Sequence, residues 1–309
     1  VWTMARRNHI TLPVANLDEW KAFYSFRDFN HFVEVYLLTV SCMRTPGDYA
    51  LMVESFAHRQ AQQNIKYCEV FLSATFLLDK LPVADLLDAL AEGVKCGEEL
   101  YGTRILFIPD IAREQPQSRH RVLDFVLEGQ RRGLFIGLGL GGIETGFPPE
   151  LFEDVFGEAR RQGLHLVAHA GETAGPASVW GALRALHAER IGHGVRSLED
   201  EELIAYLRST HVPLEVSPAS NYRLHVVAPG QPHPIRRLVD GGVYVTVNSD
   251  DPSMFSTSLN DEYLLLARQG FTWPELWQLN LNALEAAFLS EADRAAYRAT
   301  WQAFLDSTL

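Results

Sequence analysis

Four short segments carry the residue types that acid–base and metal chemistry use. His169-Ala170-Gly171-Glu172 places a histidine and a carboxylic acid three residues apart. Gly192-His193-Gly194 sets a histidine between glycines, whose freedom at positive φ lets the backbone come close to a ligand. Pro213-Leu214-Glu215-Val216 holds an acid inside an apolar run, and a buried carboxylate needs a partner. His193 is the obvious one, because a carboxylate on one ring nitrogen fixes the tautomer and raises the basicity of the other. Asn248-Ser249-Asp250-Asp251-Pro252 holds two adjacent carboxylates, which repel unless a cation or donors compensate. Each pattern has a plainer alternative: loop hydrogen bonds for His169 and Glu172, a structural histidine at 193, a Glu–Arg or Glu–His pair at 215, a turn cap before Pro252. Taken jointly, two histidines and four carboxylates suit a hydrolytic divalent metal, zinc above all, with an acid and a base beside it.

Such side chains meet only if the fold gathers them. Runs rich in β-branched and apolar residues predict strands at 67–72, 104–111, 134–142, 165–172, 190–195, 213–220 and 244–250. Between them, apolar spacing near 3.6 predicts helices, among them 83–101, 119–132, 150–162, 178–188 and 200–209; after Asp250 the chain reads as helical, through 259–267, 273–279 and 291–305. Alternating strand and helix, with strands apolar on both faces, predicts an α/β fold around a parallel sheet. The count is seven, whereas a closed TIM (β/α)8 barrel needs eight. An open doubly wound sheet is the alternative. No G-x-G-x-x-G follows the first strand, and the four polar segments end successive strands, as the active site of a barrel does. The expectation is therefore a barrel of the metal-dependent hydrolase type, its first strand missing from the sequence, with extra C-terminal helices and a single domain over 1–309.

Composition narrows the partners. The 309 residues carry a net charge of −12, which argues against a nucleic-acid or membrane-surface footprint and leaves room for a small, nearly neutral ligand. With 47% apolar and 21% charged residues the chain affords a large core. Three scattered cysteines, Cys42, Cys68 and Cys96, form no C-x-x-C pair and point to a reducing cytoplasm. No apolar run reaches the roughly 18–20 residues of a membrane span. The opening Val1–Arg7 is not followed by the apolar stretch of a secretory signal.

His-Ala-Gly-Glu-Thr at 169–173, Arg-Ile-Gly-His-Gly at 190–194, Leu-Glu-Val-x-Pro-x-Ser-Asn at 214–221 and Asn-Ser-Asp-Asp-Pro at 248–252 resemble, in order and spacing, the adenosine deaminase family of the amidohydrolase superfamily. The resemblance spans almost the whole chain, including the N-terminal helical stretch 24–32. It implies that His169 and Asp250 ligate one zinc ion per chain. Glu172 would donate a proton to purine N1, and His193, steadied by Glu215, would take a proton from the attacking water or orient it. Asp251 would hold N7, the backbone of Gly139 would face N3, and Phe29 and Phe32 would form a lid over the base, unless those two simply pack their helix. The implied reaction is hydrolytic deamination of the 6-amino group of adenosine or a 5′-modified adenosine, giving an inosine-type product and ammonia. The deaminases built on H-x-E followed by P-C-x-x-C are another solution, and this sequence has no P-C-x-x-C.

Two details refine the resemblance. Gly-Leu-Gly-Gly-x-Glu at 139–144 and Phe-x-His-Phe-x-Glu-Val-Tyr-Leu at 29–37 are similar to bacterial relatives acting on aminodeoxyfutalosine, a 5′-extended adenosine of menaquinone biosynthesis. Adenosine stands first among the expected substrates and aminodeoxyfutalosine next; free adenine, or a non-catalytic nucleoside-binding barrel, ranks below. The family opens with a strand bearing two zinc ligands as His-x-His, a motif this sequence lacks, and Met4–Pro13 resembles the helix and loop that follow it. His9 in that loop is therefore not assigned as a ligand, and about 20 residues are expected upstream, the length of one βα unit less its helix end. Ser217 stands where many relatives have cysteine, a change expected to affect packing only.

Overall fold

The computed structural model describes residues 1–308 apart from Pro229, with the backbone alone of Ser307 and Thr308. Among the described residues, seven parallel strands form one sheet in sequence order: β1 Tyr67–Leu72, β2 Arg104–Ala112, β3 Gly137–Gly141, β4 His165–Ala170, β5 Arg190–His193, β6 Leu214–Val216 and β7 Val245–Val247. Each strand pairs with its successor through a crossover that carries helix, the connection that parallel neighbours require. Helices 83–101, 119–131 and 153–161 bury their apolar stripes on the strands, so the core runs between sheet and helix ring.

The sheet is curled. Strands lie about 4.8 Å apart, so β1 and β4 would be separated by roughly 14 Å in a flat sheet. Instead the Phe71 ring of β1 meets the His169 ring of β4 edge-on, centroids 4.8 Å apart. Arg190 of β5 likewise reaches across to Glu69 of β1. The architecture is thus an α/β fold with parallel strands in a partial barrel, and β1 and β7 are its two edges.

The last strands are shorter than the sequence predicts. After Val216 the chain turns into a helix, Pro218–Arg223, and after Val247 it leaves the sheet, so the polar ends of both runs lie in loops at one rim. The N-terminal region differs as well. Residues 24–32 are not one helix: helices Leu17–Phe23 and Phe29–Ser41 are separated at Tyr24–Asp28. Asp28 causes the break, because its carboxylate accepts the His31 N–H and so begins the second helix. That helix belongs to a second apolar cluster built on Phe26, Val35, Leu224, Met254 and Phe255. No helix among the described residues is long and apolar enough to cross a membrane.

Candidate active site

Register places the chemistry. His169 pairs with Gly192 and Ala170 with His193, so the two histidines sit at the C-terminal ends of adjacent strands, ring centroids 5.1 Å apart. Gly192 makes this possible, since a Cβ there would lie 3.2 Å from both Cα and Cγ of His169. Gly192→Val is therefore expected to displace His169 and to cost about 1–3 kcal/mol; urea denaturation reads the second effect and metal content the first. Asp250 follows β7 by three residues. His193 and Asp250 both have left-handed backbones, φ 63° and 52°, a conformation that costs of order 1 kcal/mol and clusters where function requires it.

Ligand atoms of His169, His193 and Asp250 lie within 4.8 Å of one another. The structure thus brings His193 into the same cluster as the two expected ligands. Glu172 joins it, its Oε2 lying 3.7 Å from His193 Nε2, while Asp250 Oδ2 lies 3.9 Å from the same nitrogen. Burial, then the Asp250 and Glu144 charges, pushes the Glu172 carboxyl well above the usual carboxylate range. Asp251 is raised for the same first reason, with Asp250 and Asp110 adding to it. Burial, then His193, holds His169 below the usual histidine range and so in the neutral, lone-pair-bearing form that metals bind. His169 Nδ1 and Glu172 Oε1 are buried without a hydrogen-bond partner among the described residues. Neutral imidazole, crowded carboxyls and orphaned polar atoms fit a divalent cation such as zinc.

Glu215 behaves differently from expectation. Its carboxylate meets Arg190 Nε at 2.8 Å, and Arg190 also binds Glu69 and the Ala286 carbonyl. The partner of His193 is instead Asn221, whose Nδ2 lies 3.2 Å from Nδ1. The reason is parity: Glu215 is in register with Gly192, two residues from Arg190 and therefore on the same face, and one residue out of step with His193. The Glu215 charge still acts on His169, raising the affinity of that ring for a proton.

The remaining expected residues occupy two places. Gly139 lies inside β3 between Asp110 and Val167, and a Cβ there would come within 2.8 Å of the Phe71 ring. Phe32 stacks on Phe255 at 5.2 Å and packs on Phe29 and Phe26. Because Phe255 closes the short helix that Asp251 begins, the aromatic cluster and the aspartate pair share one loop.

Four further residues build the site without having been singled out. Glu144 accepts the N–H groups of Glu172 and Ala174 and so fixes the loop that carries the acid. Arg113, fully buried, donates to the His169 carbonyl at 2.6 Å and to that of Phe147 at 2.8 Å. Asp110 is buried, its Oδ1 without a partner among the described residues, and burial pushes it up to about 7. It carries the same signal as Glu215, an acid in an apolar strand run. His233, 2% exposed, lies against Asn221, and burial pushes it down to about 4. The unfolded chain binds that proton near pH 6.5, the folded chain only near 4, so this contribution to stability is complete above 6.5 and lost as pH falls towards 4. Between pH 7 and 5 it amounts to about 2 kcal/mol. Urea unfolding at both pH values should show the loss in the wild type, reduced by that amount in His233→Gln.

The sequence model for the family described as adenosine deaminase matches residues 1–300. The chain is 38% identical over 296 residues to aminodeoxyfutalosine deaminase of Streptomyces avermitilis, covering 91% of this chain and 82% of the other. It superimposes on the crystal structure of adenine deaminase from Arthrobacter aurescens with a TM-score of 0.93 and 30% identity, covering 99% and 94% of the two chains. An amidohydrolase from Burkhoderia ambifaria, solved with bound Zn, gives a TM-score of 0.90 at 26% identity, covering 99% and 86%. The chain belongs to the adenosine deaminase family and is a hydrolytic enzyme of the amidohydrolase superfamily.

Proposed function

We propose that this protein is a zinc-dependent deaminase that removes the 6-amino group from an adenine ring held in a nucleoside, with the 5′-extended aminodeoxyfutalosine ahead of adenosine. The observation that carries the reading is Glu172: a buried carboxyl, pushed well above the usual carboxylate range and set 3.7 Å from His193 beside the Asp250 cluster. A protonated acid in that place can donate to N1 and make carbon 6 electrophilic. One zinc ion per chain, held by His169 and Asp250, would supply Lewis-acid activation of water near neutral pH. His193 Nε2 faces the same space and holds the attacking water. Asp251, its carboxyl raised by burial and by the Asp250 charge, donates to N7, which only accepts. Gly139 faces the N3 edge, and Phe29 and Phe32 cover the base and exclude water. Glu215 acts through the charge it places on Arg190 and His169. Carbon 6 gains the water oxygen and ammonia leaves.

The order of substrates follows the 38% identity to the aminodeoxyfutalosine deaminase, above the 33–34% to relatives named adenine deaminase and the 30% to the adenine deaminase structure. That structure, at a TM-score of 0.93, supports free adenine as a second reading. The same proposal includes a single domain, an eight-stranded ring completed by one parallel strand between β1 and β7, and a reducing cytoplasm in which Cys42, Cys68 and Cys96 stay free. A side-by-side comparison of kcat/KM on aminodeoxyfutalosine, methylthioadenosine, adenosine and adenine tests it. Aminodeoxyfutalosine should lead by at least ~10-fold, the worth of about 1.4 kcal/mol of extra transition-state binding. A lead for adenine would favour the second reading, and turnover of none of the four would remove the proposal.

A further inference from the structure

We propose that Asn221 and His233 are positioning residues that fix the tautomer of His193, so that its Nε2 carries the hydrogen and donates it to the reacting oxygen. The inference deepens the proposed deaminase reading and rests on it for the identity of that oxygen.

The direction follows from one group that can only donate. The backbone N–H of Ile235 points to His233 Nδ1 at 3.1 Å. That nitrogen therefore accepts, and in a neutral imidazole the hydrogen must then sit on Nε2. His233 Nε2 lies 3.2 Å from Asn221 Oδ1, an acceptor, which fixes the orientation of the amide. The Asn221 NH2 group is consequently the one facing His193 Nδ1 at 3.2 Å. His193 Nδ1 accepts, and its hydrogen is on Nε2, the nitrogen 3.7 Å from Glu172 and 3.9 Å from Asp250.

Every member of the chain is shielded from water, which could otherwise rotate the amide or exchange the tautomers: His193 is 3% exposed, Asn221 0% and His233 2%. Backbone bonds anchor the middle of the relay, since Asn221 N–H donates to the Ser217 carbonyl and the Asn221 carbonyl accepts from Val227. The ring of Tyr222 packs edge-on against His233 at 5.5 Å and limits its rotation. A histidine so arranged meets the reacting oxygen as a hydrogen-bond donor, able to hold it and to stabilise charge that gathers on it.

Asn221→Asp tests the inference with almost no change of shape. A carboxylate still accepts from His233, but its second oxygen cannot donate to His193 Nδ1, so that nitrogen must now carry a hydrogen. In zinc-loaded protein carrying 15N-labelled histidine, ring 15N–1H correlations should place the His193 hydrogen on Nε2 in the wild type and on Nδ1 in Asn221→Asp. The variant should lose about 100-fold or more in kcat with KM within threefold, the size of effect expected when a general acid–base group is held in the wrong form. His233→Leu, which frees the amide to turn, should lose activity too, and His233→Gln, whose amide N–H can replace Nε2–H towards Asn221, should restore most of it. Wild-type kcat in Asn221→Asp, a hydrogen on Nδ1 in the wild type, or equal losses in both His233 variants would overturn the assignment. The ring spectrum needs no substrate, so it decides the tautomer even if the enzyme turns over none of the adenine compounds.

Discussion

Glu172→Gln should lower kcat by about 10³-fold, within the range that a positioned general acid contributes, and leave fold, zinc content and KM close to wild type. The separation follows from the state of the side chain. Glu172 is 5% exposed, and burial with the Asp250 and Glu144 charges pushes its carboxyl well above the usual carboxylate range, which favours the protonated acid. Glutamine replaces a neutral carboxyl with a neutral amide of nearly the same shape. Its N–H can still hydrogen-bond a ring nitrogen, but it cannot hand over the proton. The Glu172 backbone N–H, bonded to Glu144, is untouched. Steady-state kinetics with metal analysis checks this, and full turnover in Glu172→Gln would take the residue out of the mechanism.

Asp250→Asn should have the opposite profile, a protein that folds at least as well without metal and no longer holds it. Asparagine tolerates the left-handed φ of 52° at this position, so the backbone survives the exchange. What disappears is a charge. The Asp250 carboxylate raises both Glu172 and Asp251, so its removal relieves repulsion in the metal-free site and thermal unfolding of apoprotein should not fall. Zinc affinity should fall by at least ~100-fold, more than the loss of a group that merely orients a ligand. Activity at limiting zinc should fall with it. A variant that purifies with a full zinc complement would refute the assignment of Asp250 as ligand.

The sequence was most informative where burial is two-sided. Strand cores such as Arg104–Ala112 and His165–Ala170 are apolar on both faces and end in polar residues, so both the parallel sheet and the rim that carries the site could be read from them. Partnership across strands could not be read. Glu215 and His193 are neighbours in a list of motifs, but register puts Glu215 opposite Gly192 and so within reach of Arg190. The break at Tyr24–Asp28 depends on one capping carboxylate within a stretch whose apolar spacing continues on both sides. Asn221 ends the Leu-Glu-Val-x-Pro-x-Ser-Asn segment, where nothing in the sequence marks its role, and His233 lies between two prolines in a segment that reads only as loop. Neither discloses a contact with the other until the chain after β6 folds back.

The central claim is that this protein adds water to carbon 6 of an adenine nucleoside and expels ammonia. The direct measurement is turnover of aminodeoxyfutalosine and adenosine by zinc-loaded protein in 18O-labelled water, with ammonia assayed and the product weighed by mass spectrometry. One labelled oxygen in the product for each ammonia released is the predicted result; a product without label, or no ammonia from either substrate, would contradict it.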